Sequence, residues 1–537
     1  MSDNQIMLHN DYCATCHDKQ VDYCRSGFYQ VKSDPNSGYR EDILGQTMYG
    51  CPIDEKVSEM HWLKKRGFHL GALIAVMIDN PMCAVTGHRI CNDCMRSCIY
   101  QKNEPVDTPQ VESGVLRDIL SLPWGVEIYD LLIRWHPLRL QEYLPKAENG
   151  YKVAVMGLGP AGFSLVHHLA MQGCTVVGMD GADIQPWPHD DVMLPIRHYQ
   201  SIYEPMEHRA VLGFGGVCEY GITARWDKNL LKLAYLSLLR RSNVYLSGNI
   251  RFGGTLNLDD LWHLGFHHVA LALGAGLPKA LDIPHSMAKG MRQANDFLMA
   301  LQLTGSYQQN TFAELSLHLP AVVIGGGLTA MDTATEVQAF YLQMVQLVHK
   351  RSQTLQRSMG EDAFWQAFSS EEQARLRIWI DHGEEVIRLR AKAATQNTPA
   401  QFSSLMRAWG GVSIVYRRAL EDAPAYKQNA HELQSCIDQG ITLYTHTVPV
   451  AVNVDNDGSV SHLQCLVPWG DVSMHDQVFI KYCRVAEAMQ WWCISDLFAW
   501  QQGMVLALAP HDRPHLPEYW SVIPVSYTHL TLPTTWL

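Results

Sequence analysis

Gly157-Leu158-Gly159-Pro160-Ala161-Gly162 follows the short apolar run Tyr151–Met156 and opens a stretch of helical spacing, Gly162–Gln172, that stops at Gly173. Strand, glycine turn and helix in that order make a dinucleotide fingerprint. The glycines let the backbone approach a pyrophosphate, and the helix N-terminus offers free N–H groups with a partial positive charge. Cys174–Met179 then reads as a second strand closed by Asp180, near the offset where a carboxylate takes ribose hydroxyls. The plainer reading of Asp180 is a strand-end turn residue.

A second fingerprint, Gly325-Gly326-Gly327-Leu328-Thr329-Ala330-Met331-Asp332, follows Ala321–Ile324. Leu328–Phe340 reads as its helix, but no glycine stop and strand come next. A charge-rich stretch of helical spacing, 341–409, leads to Gly410-Gly411, the strand Ser413–Val415 and then Tyr416-Arg417-Arg418. We read 341–409 as a helical insertion and Ser413–Val415 as the delayed second strand. Arginines at that strand end suit a 2′-phosphate and favour NADPH over NADH. A competing reading puts the strand at Val345–Val348 with Lys350 and Arg351 on the phosphate, and a solvated basic turn fits either pair.

Cysteine usage is uneven. Eight of the 14 cysteines (Cys13, Cys16, Cys24, Cys51, Cys83, Cys91, Cys94, Cys98) fall in the first 98 residues, where the N-terminus shows no apolar signal-peptide core. In a reducing compartment clustered thiols read as metal or cluster ligands. Cys13-x2-Cys16 and Cys91-x2-Cys94-x3-Cys98 let short loops wrap several thiolates around one core. Iron–sulfur ligation, structural zinc and burial all fit that spacing. The dinucleotide turns downstream favour iron–sulfur, because zinc carries no electrons.

Size and composition are those of a multidomain globular protein: 537 residues, 47% hydrophobic and 18% charged. The net charge of −12 gives no nucleic-acid footprint. Leu70–Ile78 is too short to span a bilayer. A cytoplasmic protein without membrane partners is expected. The expected fold is α/β, a helical N-terminal domain (1–145) followed by two nested Rossmann-like domains. These are a first dinucleotide domain (146–285), a second with the insertion (286–455), and an atypical return to the first (456–537).

The ordered set of Cys13, Cys16, Cys51-Pro52, Asn80-Pro81, Thr86-Gly87, Cys91, Cys94, Cys98, GLGPAG, Gly215-Gly216, Tyr220-Gly221-Ile222, GGGLTAMD and Tyr416-Arg417-Arg418 resembles one family. It is that of the glutamate synthase small (beta) subunit and the N-terminal half of dihydropyrimidine dehydrogenase. The likeness runs from Cys13 to about Cys465. It implies two [4Fe–4S] clusters, one on Cys13, Cys16, Cys24 and Cys98, the other on Cys51, Cys91, Cys94 and the oxygen of Glu112. Cys83 is an extra candidate whose plainer role is a buried thiol. FAD is implied at Gly157, Gly159, Pro160, Ala161, Gly162 and Asp180, with Gly216 and Gly221 near the flavin ring. NADPH is implied at Gly325, Gly326, Gly327, Thr329, Ala330 and Asp332, with its 2′-phosphate at Arg417 and Arg418. Hydride would pass from NADPH to FAD, and single electrons through the clusters to a partner subunit or domain, with no catalytic side chain required. The competing classes are an electron-transfer or scaffold subunit and an inactive fragment. A disulfide reductase would need a cysteine pair beside the flavin, yet Cys174, Cys218, Cys436, Cys465, Cys483 and Cys493 stand alone.

The resemblance also implies a closing strand, glycine turn and Gly-Asp pair over the flavin. Gly470-Asp471 comes too early, beyond about Val478 the pattern is lost, and Ser526–Leu530 resembles adaptor-derived translation. The expectation is therefore no proper closing segment after about 478, and weakened FAD binding.

Overall fold

The computed structural model describes residues 3–31, 34–86, 92–138, 144–187, 192–205, 207–214, 216, 228–274, 281–311, 313, 315–467, 470–475, 477–480, 505–508 and 522–523. Its first part is helical: α1 (Asp3–Asp18), α2 (Tyr23–Ser26), α3 (Val57–Lys65), α4 (His69–Met77), α5 (Cys83–Thr86), α6 (Asp93–Arg96), α7 (Thr108–Leu120) and α8 (Gly125–Arg134). α7 starts at Asp107, whose carboxylate accepts the Gln110 N–H at 3.1 Å, with Pro109 in the first turn. Its Val111, Val115, Leu116 and Ile119 are buried and share one apolar cluster with Leu73 of α4, Val153 in the first strand of the first sheet and Phe163 of the helix that follows that strand. Burial of that continuous surface fastens the helices to the sheet.

The first sheet forms from β1 (Lys152–Met156), β2 (Thr175–Met179), β3 (Val244–Ser247) and β4 (His268–Leu271), parallel and in the order β3-β2-β1-β4. Between them run α9 (Pro160–Met171), α10 (Leu231–Leu239) and α11 (Leu258–His263). The second sheet holds β5 (Met291–Gln293), β6 (Ala321–Ile324), β7 (Val412–Val415) and β8 (Thr442–Tyr444). All four residues of β6 are buried, as parallel strands covered on both faces require. Its helices are α12 (Ala294–Leu303), α13 (Leu328–Met359), α14 (Glu361–Gln366), α15 (Ser370–Thr395), α16 (Ser403–Ala408) and α17 (Pro424–Asp438). An antiparallel meander follows, β9 (Val448–Val454), β10 (Val460–Val467) and β11 (Gly470–His475). Next β12 (Gln477–Ile480) slots in parallel between β5 and β6. Finally β13 (Val505–Leu508) pairs antiparallel with β4, and β14 (Val522–Ile523) with β13.

Several expectations change. The helix after the second fingerprint does not end at Phe340; α13 runs 32 residues to Met359 because neither glycine nor proline interrupts it before Gly360. The stretch 341–409 is thus the rest of α13 plus α14–α16, with the Tyr341 hydroxyl meeting His382 Nδ1 of α15 at 2.7 Å. Val345–Val348 is helical, not a strand, so Lys350 and Arg351 sit on α13, and Arg351 donates to the carbonyls of Gln309 and Thr311. The second sheet extends past residue 455 through β12. Gly470-Asp471 opens a meander strand. β13 pairs antiparallel with β4 of the first sheet, within the stretch where an atypical return without a proper closing segment is expected. No described helix is long and apolar enough to cross a membrane.

Candidate functional site

At the first turn the strand–helix junction is closed by backbone. Gly157 has φ +96°, and a Cβ there would lie 2.3 Å from the Ala272 carbonyl oxygen. At Gly162 a Cβ would fall 1.8 Å from the Gly157 carbonyl oxygen. Only glycine fits either position. Gly159 caps α9, whose first residues are Pro160, Ala161 and Gly162. Gly216 approaches from another segment, its added Cβ 3.2 Å from the Gly159 Cα. Gly221 lies outside the described residues. Asp180 sits at the end of β2, but its carboxylate is bound to backbone: Oδ2 accepts from the Leu158 N–H at 2.7 Å and Oδ1 from Ala182 at 3.0 Å. Burial pushes that carboxyl upward while these N–H groups hold it down.

The second turn is closed by a side chain. A Cβ on Gly326 would meet the Tyr416 ring at 2.4 Å. The Tyr416 hydroxyl donates to the Asp422 carbonyl at 3.0 Å, and the Gly325 N–H donates to the Val415 carbonyl at 2.9 Å, tying the turn to the end of β7. Gly327 caps α13, which carries Thr329, Ala330 and Asp332 in its first turns, Ala330 and Asp332 buried. Arg417 and Arg418 follow β7 directly, exposed on the same end of the sheet. Sequence spacing had joined these residues across the insertion, and β7 does run parallel to β6.

The cysteines gather in two groups. Cys13 and Cys98 share a buried cluster with Cys24 packed against it, and Cys16 lies within electrostatic reach of Cys98. The Cys24 thiol donates to Cys98, and that hydrogen bond draws the Cys98 thiol down to about 6 against the effect of burial, while Cys24 is raised. In the second group Cys51, Cys94 and Glu112 act on one another inside the protein. Burial raises all three. Asn80 donates to Glu112 Oε1 at 3.4 Å, and the Thr86 hydroxyl fixes Asn80 at 2.6 Å. Cys91 lies outside the described residues. Cys83 is buried beside Glu112 and Glu55. The loops of the two groups touch: the Cys51 N–H donates to the Cys24 carbonyl at 2.7 Å, and a Cβ on Gly50 would meet the Arg25 carbonyl oxygen at 2.4 Å. Among the described residues no three His, Cys, Asp or Glu side chains close around a point suited to a single metal ion.

Sequence reasoning missed Glu55. It stands four residues after Cys51 and is buried between the second thiol group and Asp79, which with burial lifts its carboxyl to about 7. A Glu followed by Lys in a polar stretch carries no burial signal.

Residues 151–403 match the pyridine nucleotide-disulphide oxidoreductase family. An uncharacterized protein of Rickettsia prowazekii (strain Madrid E) is 38% identical over 403 residues, 75% of this chain and 54% of that protein. The NADPH glutamate synthase small chain of Bacillus subtilis (strain 168) is 26% identical over 326 residues, 59% of this chain and 53% of that one. The NADH glutamate synthase of Schizosaccharomyces pombe (strain 972 / ATCC 24843) is 26% identical over 303 residues, 53% of this chain and 12% of that protein. This chain therefore spans about half, or less, of the length of these curated relatives. The matched span holds both glycine turns and the parallel strands that present them, and it is this part of the chain that is similar to the pyridine nucleotide-disulphide oxidoreductase family, with glutamate synthase small chains among the chain's relatives.

Proposed function

We propose that the chain is the electron-input part of an NADPH-dependent flavin and iron–sulfur oxidoreductase, working in the cytoplasm and delivering electrons to a partner subunit or domain. The reading follows the glutamate synthase relatives. The observation that carries it is the pair of glycine turns at equivalent ends of two parallel sheets, each too tight for a Cβ. When bound, the cofactors would supply hydride transfer from nicotinamide to flavin and one-electron transfer through iron–sulfur groups.

At the two glycine turns the residues present fit the nucleotides, whereas among the described residues the thiols close around no metal centre. At the first turn, the absence of side chains at Gly157, Gly159 and Gly162 leaves backbone against which a pyrophosphate of FAD fits, and the first N–H groups of α9 are free of intrahelical partners. Asp180 holds the turn through the Leu158 N–H, and each of its oxygens retains a second acceptor site for a ribose hydroxyl. At the second turn Gly325–Gly327 and the start of α13 do the same for NADPH, while Arg417 and Arg418 offer forked donors to its 2′-phosphate. Cys13, Cys16, Cys24 and Cys98 would hold one [4Fe–4S] group; Cys51, Cys94 and Glu112, with Cys91, would hold the other. Raised thiols keep their protons until iron binds, so loading releases protons and tightens as pH rises.

Anaerobic reconstitution followed by iron, sulfide and flavin counting tests the assignment, together with dye reduction by NADPH and by NADH. Replacing Arg417 and Arg418 by alanine should raise the KM for NADPH roughly tenfold with little change for NADH. Equal effects on both nucleotides would remove the 2′-phosphate role.

A further inference from the structure

The end of the second sheet brings a third basic residue to the two arginines. β7 and β8 run parallel with Val415 opposite Tyr444, and their pairing carries on past both strands. The Tyr416 N–H donates to the Tyr444 carbonyl at 2.8 Å, the Thr447 N–H to the Tyr416 carbonyl at 3.0 Å and the His446 N–H to the Arg418 carbonyl at 3.0 Å. The hydroxyl of buried Thr447 closes the turn on the Thr445 carbonyl at 2.9 Å. The main chain of His446 is thereby fixed beside that of Arg418, and Arg417, Arg418 and His446 are all exposed. The arginines reach back to the second glycine turn. Burial raises the Tyr416 phenol, while the guanidiniums of Arg418 and Arg417 draw it down and Asp422 opposes them. The same Tyr416 ring lies against Gly326, so one platform runs from the glycine turn to His446. The backbone of His446 has φ +52°, in the left-handed region where a Cβ crowds its own chain and glycine is the default residue. Exposure gives the imidazole no burial to offset that strain. Glycine would serve the turn better; what histidine adds is an N–H donor at the carboxyl end of a parallel strand, where such sheets seat nucleotides.

We propose that His446 is a further specificity residue of the nucleotide site, adding an imidazole donor to the guanidiniums of Arg417 and Arg418, so that the ends of β7 and β8 together select a nucleotide bearing a 2′-phosphate. The inference rests on the NADPH reading above. A phosphomonoester presents several strong acceptor oxygens around one phosphorus, and donors from two neighbouring strand ends reach more of them than donors from one. A nucleotide without the 2′-phosphate offers His446 no such acceptor, so its contribution is selective.

The test uses the purified full chain and two probes that differ only in the 2′-phosphate, adenosine 2′,5′-bisphosphate and adenosine 5′-monophosphate. Each is titrated calorimetrically into wild type and His446→Gly. Wild type binding the bisphosphate no more tightly than the monophosphate overturns the NADPH reading itself, and the inference with it. With wild type preferring the bisphosphate, His446→Gly is expected to weaken that probe about fivefold and to leave the monophosphate within about twofold of wild type. The melting temperature of His446→Gly should hold or rise, because glycine relieves the left-handed strain, so affinity lost there is not fold lost. If His446→Gly misfolds, His446→Asn decides in its place, since asparagine tolerates the same backbone region but reaches less far than the imidazole. Unchanged bisphosphate affinity in the folded variant, or equal weakening of both probes, overturns the role of His446 and leaves the arginine reading standing.

Discussion

The two glycine turns have the same shape but are closed by different material. At the first, the atoms that exclude a Cβ are carbonyl oxygens of Ala272 and of Gly157 itself, fixed by the sheet and by α9. At the second, the excluding atoms belong to the ring of Tyr416. A main-chain carbonyl in a parallel sheet cannot retreat without breaking ladder hydrogen bonds, whereas a tyrosine can change rotamer. The first turn is therefore intolerant and the second adjustable.

The sharpest way to break this contrast is Gly162→Ala. With its Cβ placed 1.8 Å from the Gly157 oxygen, the variant should lose about 3 kcal/mol or more of stability and fail to retain flavin. Wild-type melting temperature and flavin content in that variant would end the comparison. Next in size is Asp180→Ala, which strips the Leu158 and Ala182 N–H groups of their acceptor at about 2 kcal/mol, with weaker flavin retention measured by gel filtration. Gly326→Ala is expected to cost about 1 kcal/mol, and pairing it with Tyr416→Ala should recover most of the loss, because the obstructing ring is gone. A thermal melt of the double variant that shows no recovery would mean the second turn is as rigid as the first.

A further effect, confined to acidic pH, belongs to neither turn. His61 is fully buried, its Nδ1 bonded to Asn10 at 2.8 Å, and burial, with His9 and Lys64 nearby, lowers its pKa from 6.5 to about 3. The folded protein keeps this imidazole neutral, while the unfolded chain takes up a proton below pH 6.5. Its stabilising contribution is thus complete above pH 6.5 and is lost progressively as pH falls toward 3, at about 1 kcal/mol per pH unit. Chemical denaturation of His61→Gln against pH should show a flatter slope between pH 6.5 and 5. The glycine variants should keep the wild-type slope.

Much of this was readable from residues alone, and the reason is backbone geometry. Glycine spacing announces a tight turn wherever it follows an apolar run, so both turns, β2 and the delayed strand before Tyr416 were legible. Cys24 lies beside Cys98 and Cys51 beside Cys94, which leaves the ligand sets implied by the resemblance untested. What was not legible depends on long-range packing. The true end of α13 was hidden because helical spacing continues into the insertion without a breaker. The bonds of Asp180 to the Leu158 and Ala182 N–H groups form only once β1 and β2 lie side by side. The closing of Gly326 by Tyr416 joins residues brought together only when β7 pairs with β6. The burial of Glu55 needs α7 and the Asn80 segment in place before it exists at all.

The contact between the Cys51 N–H and the Cys24 carbonyl has a dynamic consequence. With Gly50 lying directly against the Arg25 carbonyl, the two thiol-bearing loops form one seam of main chain. The Cys51 amide can exchange its proton with solvent only when the Cys24 loop releases it, so opening at one thiol group is opening at the other. The Cys51 N–H is shared between the Cys24 and Arg25 carbonyls at 2.7 and 3.1 Å, so a displacement of one loop draws on the main chain of its neighbour.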